Sequence, residues 1–276
     1  MAESYSDGTA VSDASDQQFL NDATLKWLGV GVAGLFTLGV IVFLGIIVIY
    51  EVDFDLLREV IYPGFTDAFL VVLKVVVASS VFSILAGLIV GLGRVSRTTF
   101  TRSIATGYVE FFRGTPLLFQ LMVVYFGVPA LWPGTFPIQN FGIPAAIIGL
   151  TLNHAAYIGE AIRGGIGAVP DGQMEAARSL GMSYVQGMRE VVMPQAWRNA
   201  LAAIGNDQVI LVKDTSLLTV IAVPELISQF RYVNSNNFDA WTPIVIVAIA
   251  YLMITIPLGK LVRYMEGRSD WGGDKH

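Results

Sequence analysis

Three polar side chains in an otherwise apolar stretch are spaced to bind a polar solute. Asn153, Tyr157 and Glu160 follow i, i+4, i+7 spacing, so on a helix they present an amide, a hydroxyl and a carboxylate from one face. A zwitterionic solute would suit this face, since its ammonium group needs an acceptor. The alternative is that these side chains, with the neighbouring His154, make interhelical hydrogen bonds that hold a bundle together.

Ionisable residues occur again further along the chain. Asp207 and Asp214 are seven residues apart and share a helix face, with Lys213 about 100° around the helix. Ionisable groups at membrane depth are costly unless they face a cavity or a partner. Each of these residues is therefore a candidate functional group.

The sequence lacks the motifs of several common catalytic sites. It has no G-x-x-x-x-G-K-[ST] loop, so the chain is not its own conventional ATPase, and it has no H-E-x-x-H motif and no cysteine. No metal site is predicted. Ser183 in a G-x-S-x match could act in an intramembrane protease with His154 as its base, but helix capping also explains this serine.

The elements that must position these groups are membrane helices. With 54% hydrophobic residues, 14% charged residues and a mean hydropathy of +0.62, the chain is too apolar for a soluble domain. Residues 1–26 carry a net charge of −4 and predict an acidic, disordered tail, and residues 266–276 predict a second tail. Six apolar spans are predicted at about 27–50, 62–92, 104–132, 141–162, 201–223 and 241–262.

The distribution of basic residues predicts the orientation of these spans. Arg94, Arg97 and Arg102 lie between the second and third spans without an acidic residue, so this loop is expected in the cytoplasm. Because successive spans cross the membrane in opposite directions, residues 163–198 and both termini are expected on the same side.

Breaks and small residues predict local features of the bundle. Gly114 and Pro116 predict a kink in the third span, because proline removes a backbone donor and glycine lets another helix approach. Glu110 and Arg113 have the i, i+3 spacing of an ion pair. Gly87 and Gly91 predict a close helix contact.

The one long amphipathic run, residues 172–194, predicts two short helices joined by a hinge. Gly181 lies where a helix end favours a residue tolerant of positive φ. Ser183 and Gln186 have capping-box spacing, and the second helix is expected to end at Pro194. Such a segment lies beside a membrane or against a partner.

The same run resembles the EAA loop of membrane subunits of ATP-binding-cassette importers. The resemblance rests on Glu175-Ala176-Ala177, then Gly181, then Val191 and Met193-Pro194. Further runs resemble the polar-amino-acid branch of these permeases, over about residues 62–265. They are Phe112-Arg113-Gly114-Thr115-Pro116-Leu117-Leu118, Tyr157 through Glu160 to Arg163-Gly164-Gly165-Ile166, Val169-Pro170 with Gly172-Gln173, and Lys213-Asp214-Thr215-Ser216-Leu217. The span at 27–50 is additional to this pattern, and Ala202-Ala203 stand where many relatives carry a proline.

The resemblance implies an all-α integral membrane protein with a five-helix permease core, one extra N-terminal helix and a cytoplasmic coupling helix. It implies alternating-access import of a polar amino acid, with ATP and Mg²⁺ bound by partner ATPase subunits and no cofactor or nucleic acid on this chain. The other implied partners are a second permease subunit, the same or related, and an extracytoplasmic solute-binding protein. The implied coupling residues are Glu175, Ala176, Ala177, Gly181, Met182 and Pro194, and the candidate pathway residues are Asn153, Tyr157, Glu160, Asp214, Thr215 and Ser216.

An ion-driven secondary transporter is the other interpretation. It would account for the carboxylates within the spans, which such proteins use to bind coupling ions.

Overall fold

The computed structural model describes residues 22–269, and within that range the chain is helical with no β-strand. The predicted all-α class is confirmed. Residues 1–21 of the predicted acidic tail and residues 270–276 of the predicted C-terminal tail lie outside the described range.

The chain divides into two compact units after Val52. The first contains α1 (Asp22–Tyr50), which covers the first predicted span. Its stretch Leu25–Tyr50 has 26 residues and a mean hydropathy of 2.9. At 1.5 Å per residue it is about 39 Å long, enough to cross a hydrocarbon core of about 30 Å.

The second unit begins at Asp53 and contains eleven α-helices within the described residues. They are α2 (Phe54–Val60), α3 (Thr66–Arg94), α4 (Thr99–Gly114), α5 (Leu117–Met122), α6 (Val128–Leu131), α7 (Gly142–Gly167), α8 (Asp171–Ser179), α9 (Tyr184–Gly187), α10 (Met193–Asp214), α11 (Leu226–Asn237) and α12 (Trp241–Ser269). Single π-helical turns cover Val123–Gly127 and Met188–Val192, and a 3₁₀ segment covers Thr215–Ile221. The connection Ile61–Phe65 contains a kink at Tyr62, whose backbone is not helical.

Several helices are long and apolar enough to cross a membrane. Besides α1 they are Phe54–Arg94, Gly142–Gly167 and Trp241–Gly267, and the pair Thr99–Gly114 and Leu117–Leu131, bent by 103°, makes a further span if it counts as one. Helix α10, which covers the predicted fifth span only as far as Asp214, does not meet this test, because it carries Asn206, Asp207, Gln208, Lys213 and Asp214. The structure supports a multi-pass protein, and the count of six stays a prediction.

A short helix that the sequence did not predict, α2, precedes the second span. It begins at Phe54 because the Asp53 carboxylate caps it, and Tyr62, with φ −123° and ψ 131°, separates it from α3. Asp53 Oδ1 accepts hydrogen bonds from the backbone N–H groups of Asp55 at 2.9 Å and Leu56 at 3.0 Å. These bonds satisfy backbone donors that a helix start leaves without partners, so Phe54–Val60 is helical.

Helix α7 lies at the centre of the second unit and contacts α3 along a row of glycines. Gly87 faces Ile158, Gly91 faces Ile162, and Gly159 faces Val90. A Cβ on Gly91 would lie 2.8 Å from the Ile162 Cβ and 3.0 Å from the Gly159 carbonyl oxygen. The prediction of a close helix contact at Gly87 and Gly91 is confirmed.

We expect Gly91→Ala to destabilise the protein by about 1–3 kcal/mol, the usual cost of overpacking. The added methyl meets backbone on α7, which has no room to move away. The midpoint of thermal unfolding in detergent measures the effect. Gly107→Ala is the matched control, because nothing lies within 4 Å of a Cβ there and alanine favours helix. Equal midpoints for the two variants would contradict the packing argument.

Candidate functional site

The amphipathic run forms the hinged pair of helices that the sequence predicts. Gly181 follows α8 with φ +84°, its N–H donates to the Arg178 carbonyl at 3.0 Å, and the Met182 N–H donates to the Ala177 carbonyl at 3.1 Å. The capping box is present, since Ser183 Oγ accepts from the Gln186 N–H and Gln186 Oε1 accepts from the Ser183 N–H. Local sequence therefore determines this turn.

The predicted helix end at Pro194 is wrong. The chain passes from α9 through the π turn Met188–Val192 directly into α10, where Pro194 lies in the first turn. A proline is tolerated there because its missing N–H has no partner within the helix. The amphipathic loop is thus continuous with the helix that carries Asp207 and Asp214.

The surface of this loop combines buried and exposed positions. Ala177 is buried, whereas Glu175 and Ala176 are exposed. Leu180 and Val185 are 80% and 73% exposed, unusual for large apolar side chains on a polar segment. The Arg97 guanidinium lies 3.7 Å from the centre of the Tyr184 ring. This cation–π contact joins the α3–α4 connection to α9.

The predicted kink at Gly114 and Pro116 is confirmed as a sharp break between α4 and α5. The backbone carbonyl groups that lack a helical partner at this break accept hydrogen bonds from side-chain amides. Gln120 Nε2 donates to the carbonyls of Phe112 at 2.9 Å and Thr115 at 3.1 Å, and Asn153 Nδ2 donates to Gln120 Oε1 at 3.0 Å. Broken backbone at membrane depth needs such partners.

The side chains of Asn153 and Gln120 therefore stabilise the break between α4 and α5. Asn153 also donates to the Phe112 carbonyl at 3.2 Å, so its amide hydrogens are used within the protein. No sequence motif singles out Gln120. The proline of the break was the available signal, because it raises the question of what satisfies the carbonyls around it.

Beside this break lies a cavity of about 420 Å³, here called the central cavity. It lies between the α4–α5 break, α7 and α10, and its ionisable groups are Arg113, His154, Asp207 and Asp214. Asn153 and Tyr157 also line it, whereas Thr215 and Ser216 are not among its lining residues. Thr215 is buried, and its hydroxyl donates to the Val212 carbonyl at 2.7 Å.

His154 bridges the two aspartates of α10. Its Nδ1 lies 3.0 Å from Asp207 Oδ1, and its Nε2 lies 3.4 Å from Asp214 Oδ2, within ion-pair range. The shared face of Asp207 and Asp214 is confirmed, since both reach the same ring. The protease interpretation fails at this point, because His154 has these carboxylates as partners while Ser183 caps α9.

Glu160 lies at the centre of a group of arginines. It pairs with Arg94 of α3, with Arg163 at 2.7 Å and with Arg113 at 3.9 Å. Arg113 also lies over the Tyr157 ring, 5.3 Å from its centre. The predicted Glu110–Arg113 pair is wrong, because Arg113 turns inward to these groups while Glu110 is exposed. Glu160 and Arg113 line a second cavity of about 420 Å³ that shares Tyr157 with the central cavity.

Outside the membrane helices, Glu225 is a fully buried carboxyl group. It caps α11 by accepting from the N–H groups of Ile227 at 2.7 Å and Ser228 at 2.8 Å. Burial raises the pKa of Glu225 from 4.5 to about 7, against these hydrogen bonds and one from Tyr251, which lower it.

We expect the stability of the protein to fall as the pH rises through about 7, because a raised carboxyl pKa disfavours the ionised form in the folded state. The contribution is complete below pH 4.5 and is on the order of 3 kcal/mol. Glu225→Gln should flatten the profile of unfolding midpoint against pH between 5 and 8. Glu59→Gln, at an exposed position, is the control. An unchanged profile in the Glu225 variant would refute this assignment.

Comparison with known proteins places the chain among transport proteins. Residues 83–270 match the model of the binding-protein-dependent transport system inner membrane component family. The arginine transport system permease protein ArtQ of Bacillus subtilis is 35% identical over 74% of this chain and 91% of its own length. The probable glutamine ABC transporter permease protein GlnM of the same organism is 37% identical over 75% of this chain and 94% of its own.

Among solved structures, one described as the crystal structure of an amino acid ABC transporter with histidines is similar. Its chain is 35% identical, with a TM-score of 0.70, over 79% of this chain and 99% of that chain. This structural neighbour and the two sequence relatives are all described as amino acid transport proteins. The chain belongs to the family of inner membrane components of binding-protein-dependent transport systems, as a multi-pass membrane subunit.

Proposed function

We propose that the chain is the permease subunit of an ATP-binding-cassette importer that moves a polar amino acid across the cell membrane by alternating access. The observation that carries this proposal is the central cavity, where Arg113, His154, Asp207 and Asp214 meet inside a helix bundle. Charged side chains gathered at membrane depth around open space mark a solute pathway.

The central cavity has both acidic and basic side chains, which the α-carboxylate and α-ammonium groups of a free amino acid require. The Asp214 side chain is 29% exposed and can accept from an ammonium group. The Arg113 side chain also lines the cavity, is 41% exposed and can donate to a carboxylate. Tyr157 adds a hydroxyl, while Glu160, which does not line this cavity, is engaged by Arg94 and Arg163.

Residues 172–194 are proposed to bind the ATPase subunit on the cytoplasmic side. Leu180 and Val185 would enter its groove, because exposed apolar side chains on a polar segment favour a protein partner. Glu175 would anchor the contact and Gly181 would supply its turn. ATP and Mg²⁺ would be bound in the ATPase subunits.

A second permease subunit is proposed to cover α10. Ala202, Ala203, Asn206 and Lys213 are exposed on this helix, and a polar face is costly against lipid. Another copy or a close relative would enclose it.

Both termini are proposed to lie in the cytoplasm, from the distribution of basic residues. An extracytoplasmic binding protein would deliver solute near residues 132–139 and 225–239.

The test is uptake by the complex of permease, ATPase and binding protein in proteoliposomes, with a panel of labelled amino acids. We expect uptake that needs ATP hydrolysis and persists when an ionophore collapses the ion gradients. Uptake that continued without hydrolysis but stopped with the ionophore would instead support the ion-driven transporter.

A further inference from the structure

Three segments of the chain each contribute to two separate cavities. The segment that begins with α5, helix α7 and the stretch from the end of α10 reach the central cavity at Leu117, Asn153 and Asp214. The same three segments line a second cavity of about 890 Å³, here called the outer cavity, at Tyr125, Gly142 and Ala222. The outer cavity lies at the start of α7, and the end of α7 is predicted in the cytoplasm. It is therefore expected to face the extracytoplasmic side.

A fully buried apolar cluster, here called the apolar plug, occupies the stretch of each segment between the two cavities. Its members are Leu121, Leu150, Leu218 and Ile221, which are each 0% exposed and pack in one cluster. Leu218, for example, lies four residues after Asp214 and four residues before Ala222. None of the four plug residues is among those that line either cavity. The plug thus separates the central cavity from the outer cavity.

One hydroxyl group holds both ends of the stretch that brings Leu218 and Ile221 into the plug. The Tyr251 hydroxyl, on α12, lies 3.3 Å from Thr215 Oγ1 at the start of the 3₁₀ segment. The same hydroxyl interacts with the carboxyl group of Glu225, which caps α11 just after this stretch. Thr215 and Glu225 are both 0% exposed, so water does not replace these partners. Tyr251 therefore fixes where the stretch enters and leaves the plug.

We propose that the apolar plug is the outer gate of the solute pathway and that Tyr251 is a positioning residue that holds this gate closed. The inference rests on the proposed function, in which the central cavity opens alternately to the two sides of the membrane. A polar solute crosses a fully buried apolar cluster only at a high cost, because it loses its hydrogen bonds to water there. Movement of Thr215–Ile221 away from Leu121 and Leu150 would join the two cavities.

The experiment measures access to the central cavity from outside the cell. The chain has no cysteine, so a single Ile210→Cys variant places one thiol on the wall of the central cavity. A membrane-impermeant maleimide is added to intact cells that express the whole complex. Labelling should be slow with normal ATPase subunits and fast with an ATPase variant that binds ATP without hydrolysing it. Tyr251→Phe, which removes only the hydroxyl, should raise the slow rate by about five-fold or more, the effect of losing a hydrogen bond.

Three further variants separate the positioning role from general loosening of the protein. Thr215→Val breaks the same contact, so it should add little to the effect of Tyr251→Phe when the two are combined. Tyr62→Phe is the matched control and should leave the rate unchanged, because Tyr62 is 75% exposed and lines neither cavity. Ser83→Cys places the thiol at a buried position of α3 away from both cavities, and it should stay unlabelled in every background.

Each part of the inference can fail separately. Fast labelling of Ile210→Cys from outside with normal ATPase subunits, or slow labelling with the ATP-trapped ones, would refute the outer gate. An unchanged rate in Tyr251→Phe would refute the role of Tyr251, and so would labelling of Ser83→Cys in that background. If the complex takes up no amino acid, the proposed function is wrong, whereas the labelling pattern still decides whether the plug opens and closes.

Discussion

Gly181→Pro is expected to abolish uptake while the chain still inserts in the membrane. Gly181 has φ +84°, which proline cannot adopt, since its ring fixes φ near −65°. The substitution also removes the N–H that donates to the Arg178 carbonyl. The turn between α8 and α9 would be lost, and with it the surface that carries Leu180 and Val185. Uptake and ATP hydrolysis, measured together, should show hydrolysis without transport.

Gly181→Asn is the control for this prediction. Asparagine tolerates the left-handed conformation better than other residues with a side chain, and nothing lies within 4 Å of a Cβ at this position. This variant should retain most of its uptake. Normal transport by Gly181→Pro would remove the coupling role from the hinge.

Glu160→Gln is expected to destabilise the second unit by about 1.5–3 kcal/mol, the usual loss for a hydrogen bond to a charged group, because its ion pair with Arg94 is partly enclosed. The Glu160 side chain is 25% exposed, and that of Arg94 is 17% exposed. A neutral amide would leave Arg94 charged and largely enclosed, and would remove the link between α3 and α7. Thermal unfolding in detergent and uptake should both fall.

Two arginine variants test whether burial sets the strength of the ion pairs with Glu160. Arg94→Gln should cost nearly as much as Glu160→Gln, since it breaks the same enclosed pair. Arg163 pairs with the same carboxylate at 2.7 Å, but its side chain is 44% exposed. Arg163→Gln should therefore cost less than about 1 kcal/mol. Equal losses at Arg94 and Arg163 would show that burial does not set the strength of this cluster.

Local features were the most predictable from sequence. The turn at Gly181, the capping box at Ser183 and the break at Pro116 depend on residues within a few positions of one another. Each follows from the conformational limits of glycine and proline or from the donors left open at a helix end. The shared face of Asp207 and Asp214 followed in the same way from helical spacing.

Partners on different helices were not predictable from spacing. Spacing predicts that Arg113 pairs with Glu110, its neighbour on the same helix, but Arg113 contacts Glu160 and Tyr157 of α7 instead. Likewise, spacing showed that Asp207 and Asp214 point the same way without showing that His154 lies between them. Such pairs depend on how α4, α7 and α10 approach one another, which the glycines and the break determine jointly.

The contact of Arg97 with Tyr184 gives the amphipathic loop a second mechanical attachment. One attachment is covalent, through the turn Met188–Val192 into α10, which bears Asp207 and Asp214. The other passes through Arg97 to the start of α4, whose far end bears Arg113. A displacement of the loop would therefore be passed to both α4 and α10, the helices that contribute Arg113 and the two aspartates to the central cavity.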